Sequence, residues 1–140
     1  MDQSALVDVQ IQDGQRLINR LIEKEWAPTE AAWVKESEAG EWFLYLATPR
    51  VGEDGATRPA YRRLIALISD MQSEGFWIDP LSIKLISTDD PIARAVAAVR
   101  RRYPTMTATW FHGKRLADLS IDEAYLYAPL RMVVGATKSP

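Results

Sequence analysis

The sequence predicts one α+β domain, with a mixed, mostly antiparallel sheet of about five strands packed by three helices in the order α-β-β-α-β-α-β-β. Three observations predict it. Apolar residues recur three and four apart in separated segments. Runs rich in aromatic and β-branched residues alternate with those segments. Gly and Pro punctuate the boundaries. A length of 140 residues suits a single domain over 1–140, with 1–10 and 130–140 as possible loose tails.

Residues 1–10 read as a loose or partly helical lead-in. From Asp13 to Glu25, Leu17, Ile18, Leu21 and Ile22 form one helical stripe. Asp13 is placed as its N-cap and Pro28 ends the run. Residues 31–35 and 42–47 form a hairpin across a turn at Glu38–Glu41, where Gly40 can take a positive φ. The run Trp42-Phe43-Leu44-Tyr45-Leu46-Ala47 is apolar without a break, so both faces of that strand should be covered. Pro49 closes it, and Arg50 to Pro59, with Gly52 and Gly55, reads as an exposed loop.

A second helix is expected from about Ala60 to Ser73, with Tyr61, Leu64, Ile65, Ile68 and Met71 inward and Gly75 at its C-terminal cap. An aromatic connector, Phe76-Trp77-Ile78-Asp79-Pro80, leads to a half-buried strand over Leu81–Ile86. A crossover through the Ala60 helix would make this strand parallel to the Trp42 strand, both central. Asp90 as N-cap and Pro91 at the first helical position start a third helix to about Tyr103, with Ile92, Val96, Val99 and Tyr103 inward. Thr105–Phe111 reads as a strand, His112–Arg115 as a turn and Ala124–Tyr127 as a last short strand. Met132–Val134 can add an edge strand or dock elsewhere.

Composition narrows the function classes. With no cysteine, disulfides, thiolate zinc sites and cysteine nucleophiles are excluded. The first fifteen residues hold no basic segment followed by an unbroken apolar run, so no signal peptide is expected, and no stretch approaches a membrane span. The expected location is cytoplasmic, without membrane contact. A net charge of −2 argues against a generic nucleic-acid binder. Residues 1–57 carry 5 Lys/Arg against 11 Asp/Glu, and residues 58–140 carry 12 against 8. Complementary halves within one fold or an oligomer explain this split more simply than a basic site does.

The candidate chemistry is thin. His112 is the one histidine, no Gly-x-Ser-x-Gly elbow is present, and no phosphate-binding glycine pattern occurs. Asp89 and Asp90 are better explained by helix capping than by acid–base work, and Asp79 by a turn. A nuclease arrangement around Asp79 and Lys84 lacks a carboxylate at Ser82. Arg100-Arg101-Arg102 suit a helix C-terminus and cannot share one face. His112, Lys114, Arg115, Arg100 and Arg101 are therefore the candidate ligand-binding residues. Arg62 and Arg63 would join them in any nucleic-acid surface. Trp77 and Trp110 are the candidate interface residues, since aromatic side chains on connectors make good anchors. No metal site, cofactor or catalytic residue is expected.

Three segments, EWFLYLATP, WIDPLSIKLISTDDPIA and LSIDEAYLYAP, resemble those of a small bacterial protein family to which no activity is assigned. The resemblance spans roughly residues 30–128. It implies a bacterial, cytoplasmic protein in which the Asp79-Pro80 and Asp90-Pro91 turns belong to the shared frame. It brings no site residues. The leading expectation is a non-catalytic protein-interaction or accessory module that can self-associate. A nucleic-acid or phospholigand binder using the basic second half is the alternative, followed by a small enzyme with a site near His112.

Overall fold

The structure, a computed structural model, describes residues 6–49, 51, 57–102 and 107–128. Among the described residues, three helices and six strands follow one another as α1 (Asp8–Glu23), β1 (Glu30–Glu36), β2 (Glu41–Ala47), α2 (Thr57–Gln72), β3 (Ile83–Ile86), α3 (Pro91–Arg102), β4 (Thr109–Phe111), β5 (Arg115–Leu116) and β6 (Leu119–Leu126). The strand order is β3-β2-β1-β6-β4, and β5 pairs with β6 off that path. All pairings are antiparallel except β2 with β3, which is parallel. The chain is therefore α+β with a mixed sheet.

The sheet is covered on both faces, because its central strands are apolar at alternate and at successive positions. Leu17, Ile18 and Leu21 of α1 and Leu64, Ile68 and Met71 of α2 pack with Trp33, Leu44 and Leu46. On the opposite face, Val96 of α3 packs with Val34, Tyr45, Ile121 and Leu126. The unbroken run of β2 is what lets it sit between these two layers. Each buried Leu or Ile contributes about 1.5–3 kcal/mol relative to exposure.

Several boundaries differ from the sequence reading. α1 begins five residues earlier, at Asp8, inside the segment read as a lead-in. The Gln10 side chain accepts the Val7 N–H at its start. Asp13 is therefore not an N-cap but lies buried in mid-helix. α2 begins at Thr57, so it takes in Arg58 and Pro59. Ile65 is exposed rather than inward, at the margin of the stripe formed by Leu64, Ile68 and Met71. Pro80–Ser82 is a short 3₁₀ turn, so β3 starts at Ile83. β3 is parallel to β2 as expected, but it is outermost rather than central. Asp90 caps α3 as expected, its carboxylate accepting the Ile92 N–H at 2.8 Å.

The largest correction concerns the last hairpin. Residues 112–114 are an interruption in an edge ribbon rather than its turn. β4 and β5 both pair with β6, which is eight residues long, and the reversal occurs at Ala117–Asp118. Ala117 sits at φ 57°. The expectations for Gly52, Gly55, Tyr103, Thr105 and Met132–Val134 fall outside the described residues.

Candidate functional site

The connector between α2 and β3 is held by α1. Gly75, at φ 86°, turns the chain out of α2. The Arg16 guanidinium donates to the Glu74 and Gly75 carbonyls at 2.9 and 3.4 Å. Arg20 donates to the Glu74 carboxylate at 2.7 Å, which holds that carboxyl below the usual range. Asp13 accepts the Trp77 N–H at 2.8 Å and a hydrogen bond from Arg16 at 3.1 Å. A buried carboxylate is stable only when its oxygens are satisfied, and both of these are. Phe76 and Ile78 are buried on either side, which turns the intervening Trp77 outward, 79% exposed. Asp79 then accepts the Leu81 N–H at 2.9 Å, and Leu81 is 85% exposed. Two large apolar side chains thus project from a backbone fixed at both ends.

The edge around β4 is the second feature. Trp110 is 43% exposed. Its ring meets Trp42 and Tyr125 edge to face, with centroids 6.3 and 5.0 Å apart, and lies nearly parallel to the His112 ring at 6.4 Å. His112 Nδ1 is 3.7 Å from the Glu123 carboxylate, with the imidazole side chain 72% exposed. Behind this edge, Trp33 Nε1 donates to the Tyr127 hydroxyl, which donates to the Ile11 carbonyl, at 2.9 and 2.7 Å. Burial raises the Tyr127 phenol well above the usual tyrosine range, partly offset by the Trp33 bond.

The basic candidates divide between the two faces of the sheet. α2 carries Arg62 and Arg63 over one face of the sheet, and α3 carries Arg100 and Arg101 over the other. Arg63 lies over the buried Trp26 ring at 5.6 Å. Arg100 is mostly buried, its Nε 2.7 Å from Glu30. Arg101, Lys114 and Arg115 are exposed. The ion pairs Lys84–Glu36, Arg100–Glu30, Arg20–Glu74 and Lys35–Asp122 each join one half of the chain to the other. Two of them, Lys84–Glu36 and Arg100–Glu30, set a base of the second half against an acid of the first, and the other two run the opposite way, so these pairs tie the halves together without accounting for the acidic-to-basic split.

Sequence reasoning missed one polar cluster. Tyr45 and Lys84 are direct partners across β2 and β3. The Tyr45 hydroxyl donates to Glu36 at 2.5 Å, and Lys84 donates to the same carboxylate oxygen at 2.8 Å. The Lys84 ammonium also lies 4.2 Å from the Phe43 ring centroid. Burial, followed by the Glu36 hydrogen bond and charge, pushes the Tyr45 phenol far up, so it stays protonated. Lys84 thus pairs with Glu36 rather than Asp79. Only the strand register could have revealed this, because the three residues lie on three strands.

Among the described residues no group of three or more His, Asp or Glu side chains could hold a metal ion, and no helix is long and apolar enough to cross a membrane. Among the described residues His112 meets the Glu123 carboxylate and the Trp110 ring. No family model, curated protein or solved structure matches the chain.

Proposed function

We propose that this chain is a non-catalytic interaction module that self-associates through the Trp77–Leu81 connector. One observation carries the reading: Trp77 is 79% exposed while its own N–H is bound by the buried Asp13 carboxylate. A tryptophan so exposed leaves a large apolar area in water. Because its backbone is already fixed, little ordering entropy remains to be lost when a partner covers it. Tryptophan is among the residues enriched at interface hot spots. A two-fold contact would place this connector against its own copy, the simplest closed assembly.

Sedimentation velocity from ~1 μM to ~1 mM tests it. The wild-type sedimentation coefficient should rise with concentration. The double variant Trp77→Ser/Leu81→Ser should stay monomeric, with unfolding stability changed by no more than about 0.5 kcal/mol, because both positions lie on the surface. A wild-type chain that remains monomeric over the whole range overturns the reading.

Nucleic-acid binding is less well supported, since the arginines lie on two faces and Arg100 is tied to Glu30. An enzymatic site at His112 is supported less again, since the imidazole meets only Trp110 and Glu123 among the described residues.

A further inference from the structure

We propose that the groove between α1 and α2 binds a small amphipathic carboxylate, its acid group held by Lys24 and Arg63 and its apolar body resting on Leu21, Trp26 and Leu67. The end of α1 builds the floor. Glu25, at φ 60°, ends the helix: its N–H donates to the Ile22 carbonyl at 3.0 Å, and the Trp26 N–H donates to the Leu21 carbonyl at 2.8 Å. In this kind of helix end the residue after the left-handed one packs back on the last turn. Trp26 is thereby folded toward Leu21, and both are buried in one apolar cluster. The other wall comes from α2. Arg63, Ala66, Leu67 and Asp70 recur three and four apart, so they share one helical face. The small side chain of Ala66 leaves a gap among its larger neighbours. The result is a cavity of about 180 Å³, lined by Leu21, Lys24 and Trp26 on one side and by those four residues on the other.

The lining itself supplies the charge that selects the ligand. Lys24 and Arg63 are exposed, and neither forms an ion pair among the described residues. The Arg63 guanidinium carbon lies 5.6 Å from the Trp26 ring centroid. A guanidinium has five N–H donors, so an arginine over a ring keeps some for a second partner. Ammonium and guanidinium donors bond most strongly to ionised oxygens. Asp70, the third charged group of the lining, stands seven residues from Arg63, about 10 Å along the helix. It is offset by Arg20, whose charge is held chiefly by Glu74 and in part by Asp70. The cavity is therefore cationic beside Trp26 and anionic at its far end. That polarity directs a carboxylate to Lys24 and Arg63 and lays the apolar body along Ala66 and Leu67. Pockets for drug-sized ligands measure about 300–1,000 Å³, so this smaller one suits a molecule with a single ring or a short alkyl chain.

The probe is phenylpropionate, titrated into the full chain and followed through the backbone amide and tryptophan indole resonances. Shifts concentrated in residues 21–26 and 63–70, saturating with a Kd of about 1 mM, are expected. Phenylpropionamide keeps the ring and the size without the charge. It should bind about tenfold more weakly, a readout that needs no variant to fold. Lys24→Gln/Arg63→Gln should weaken the acid about tenfold and leave the amide unchanged. Ala66→Phe, at an exposed position, fills the gap and should abolish binding of both. The Trp77→Ser/Leu81→Ser variant should bind the acid as wild type does, so this proposal and the self-association reading fail separately. Equal binding of acid and amide would overturn the proposal. So would tighter binding of phenylpropylammonium, which would give the groove to cations through Asp70. Shifts that fail to saturate, or that lie outside the groove, would overturn it too.

Discussion

Gly14 stands in mid-helix, where alanine would ordinarily stabilise by about 1 kcal/mol. Here an added Cβ would collide with the Tyr127 hydroxyl, and it would lie 2.9 Å from Tyr127 Cζ and 3.1 Å from Trp33 Nε1. Tyr127 would have to retreat, loosening its bonds to Trp33 and to the Ile11 carbonyl. Overpacking costs about 1–3 kcal/mol and each such hydrogen bond about 1 kcal/mol. The losses exceed the propensity gain, so Gly14→Ala should destabilise by about 2–3 kcal/mol in urea unfolding. A stabilised variant would mean that Tyr127 is not held where it is described. Neither Gly14 nor its neighbour Asp13 could be read for these roles in the sequence. An aspartate before an apolar helical stripe has the appearance of an N-cap, and only the connector sixty-four residues away shows that it serves instead as a buried acceptor.

The elements that sequence made legible are those whose signals are local. β2, α3 and its Asp90-Pro91 start depend on unbroken apolar runs and capping chemistry, and they fall where expected. The end of the β5–β6 hairpin was illegible because its turn lacks the usual residue. Two-residue hairpin loops favour Gly, Asn or Asp at positive φ, whereas here Ala117 takes φ 57°. Nearby Gly113 drew the turn to itself, although its φ is not positive and its missing Cβ instead leaves room for the Phe111 ring. Left-handed backbone costs a residue with a Cβ about 1–2 kcal/mol. Glycine removes that strain but loses more conformational freedom on folding. Ala117→Gly should therefore stabilise by about 0.5 kcal/mol, a few degrees in thermal melting. A lower melting temperature would refute the turn assignment. The candidate site was legible only in part: Trp77 and Trp110 were singled out, but the clamp behind one and the ring cluster around the other depend on contacts between distant segments.

Over the whole molecule, Tyr45 and Tyr127 make folding sensitive to alkali. Burial raises both phenols, and Tyr125 to a lesser degree. A group whose folded value lies above its unfolded value binds its proton more tightly when folded. The resulting stability is fully present below the unfolded tyrosine value of about 10 and is lost as pH rises beyond it. The melting temperature should fall steeply above about pH 10, and Tyr45→Phe should make that fall shallower. Phenolate absorbance of Tyr45 and Tyr127 should appear only together with unfolding; reversible ionisation of either one near pH 10, in the folded chain, would contradict this. The clamp on the connector also has a genealogical meaning. Asp13, Arg16, Gly75 and Trp77 form a constellation joined in space and split between two distant stretches of chain. Drift that removed any one of them would release the others from constraint. A relative that presents the same surface should therefore carry an Asp-Gly-x-Arg helix together with a Gly-Phe-Trp connector. That paired signature can recognise kin whose remaining residues have diverged past ordinary detection.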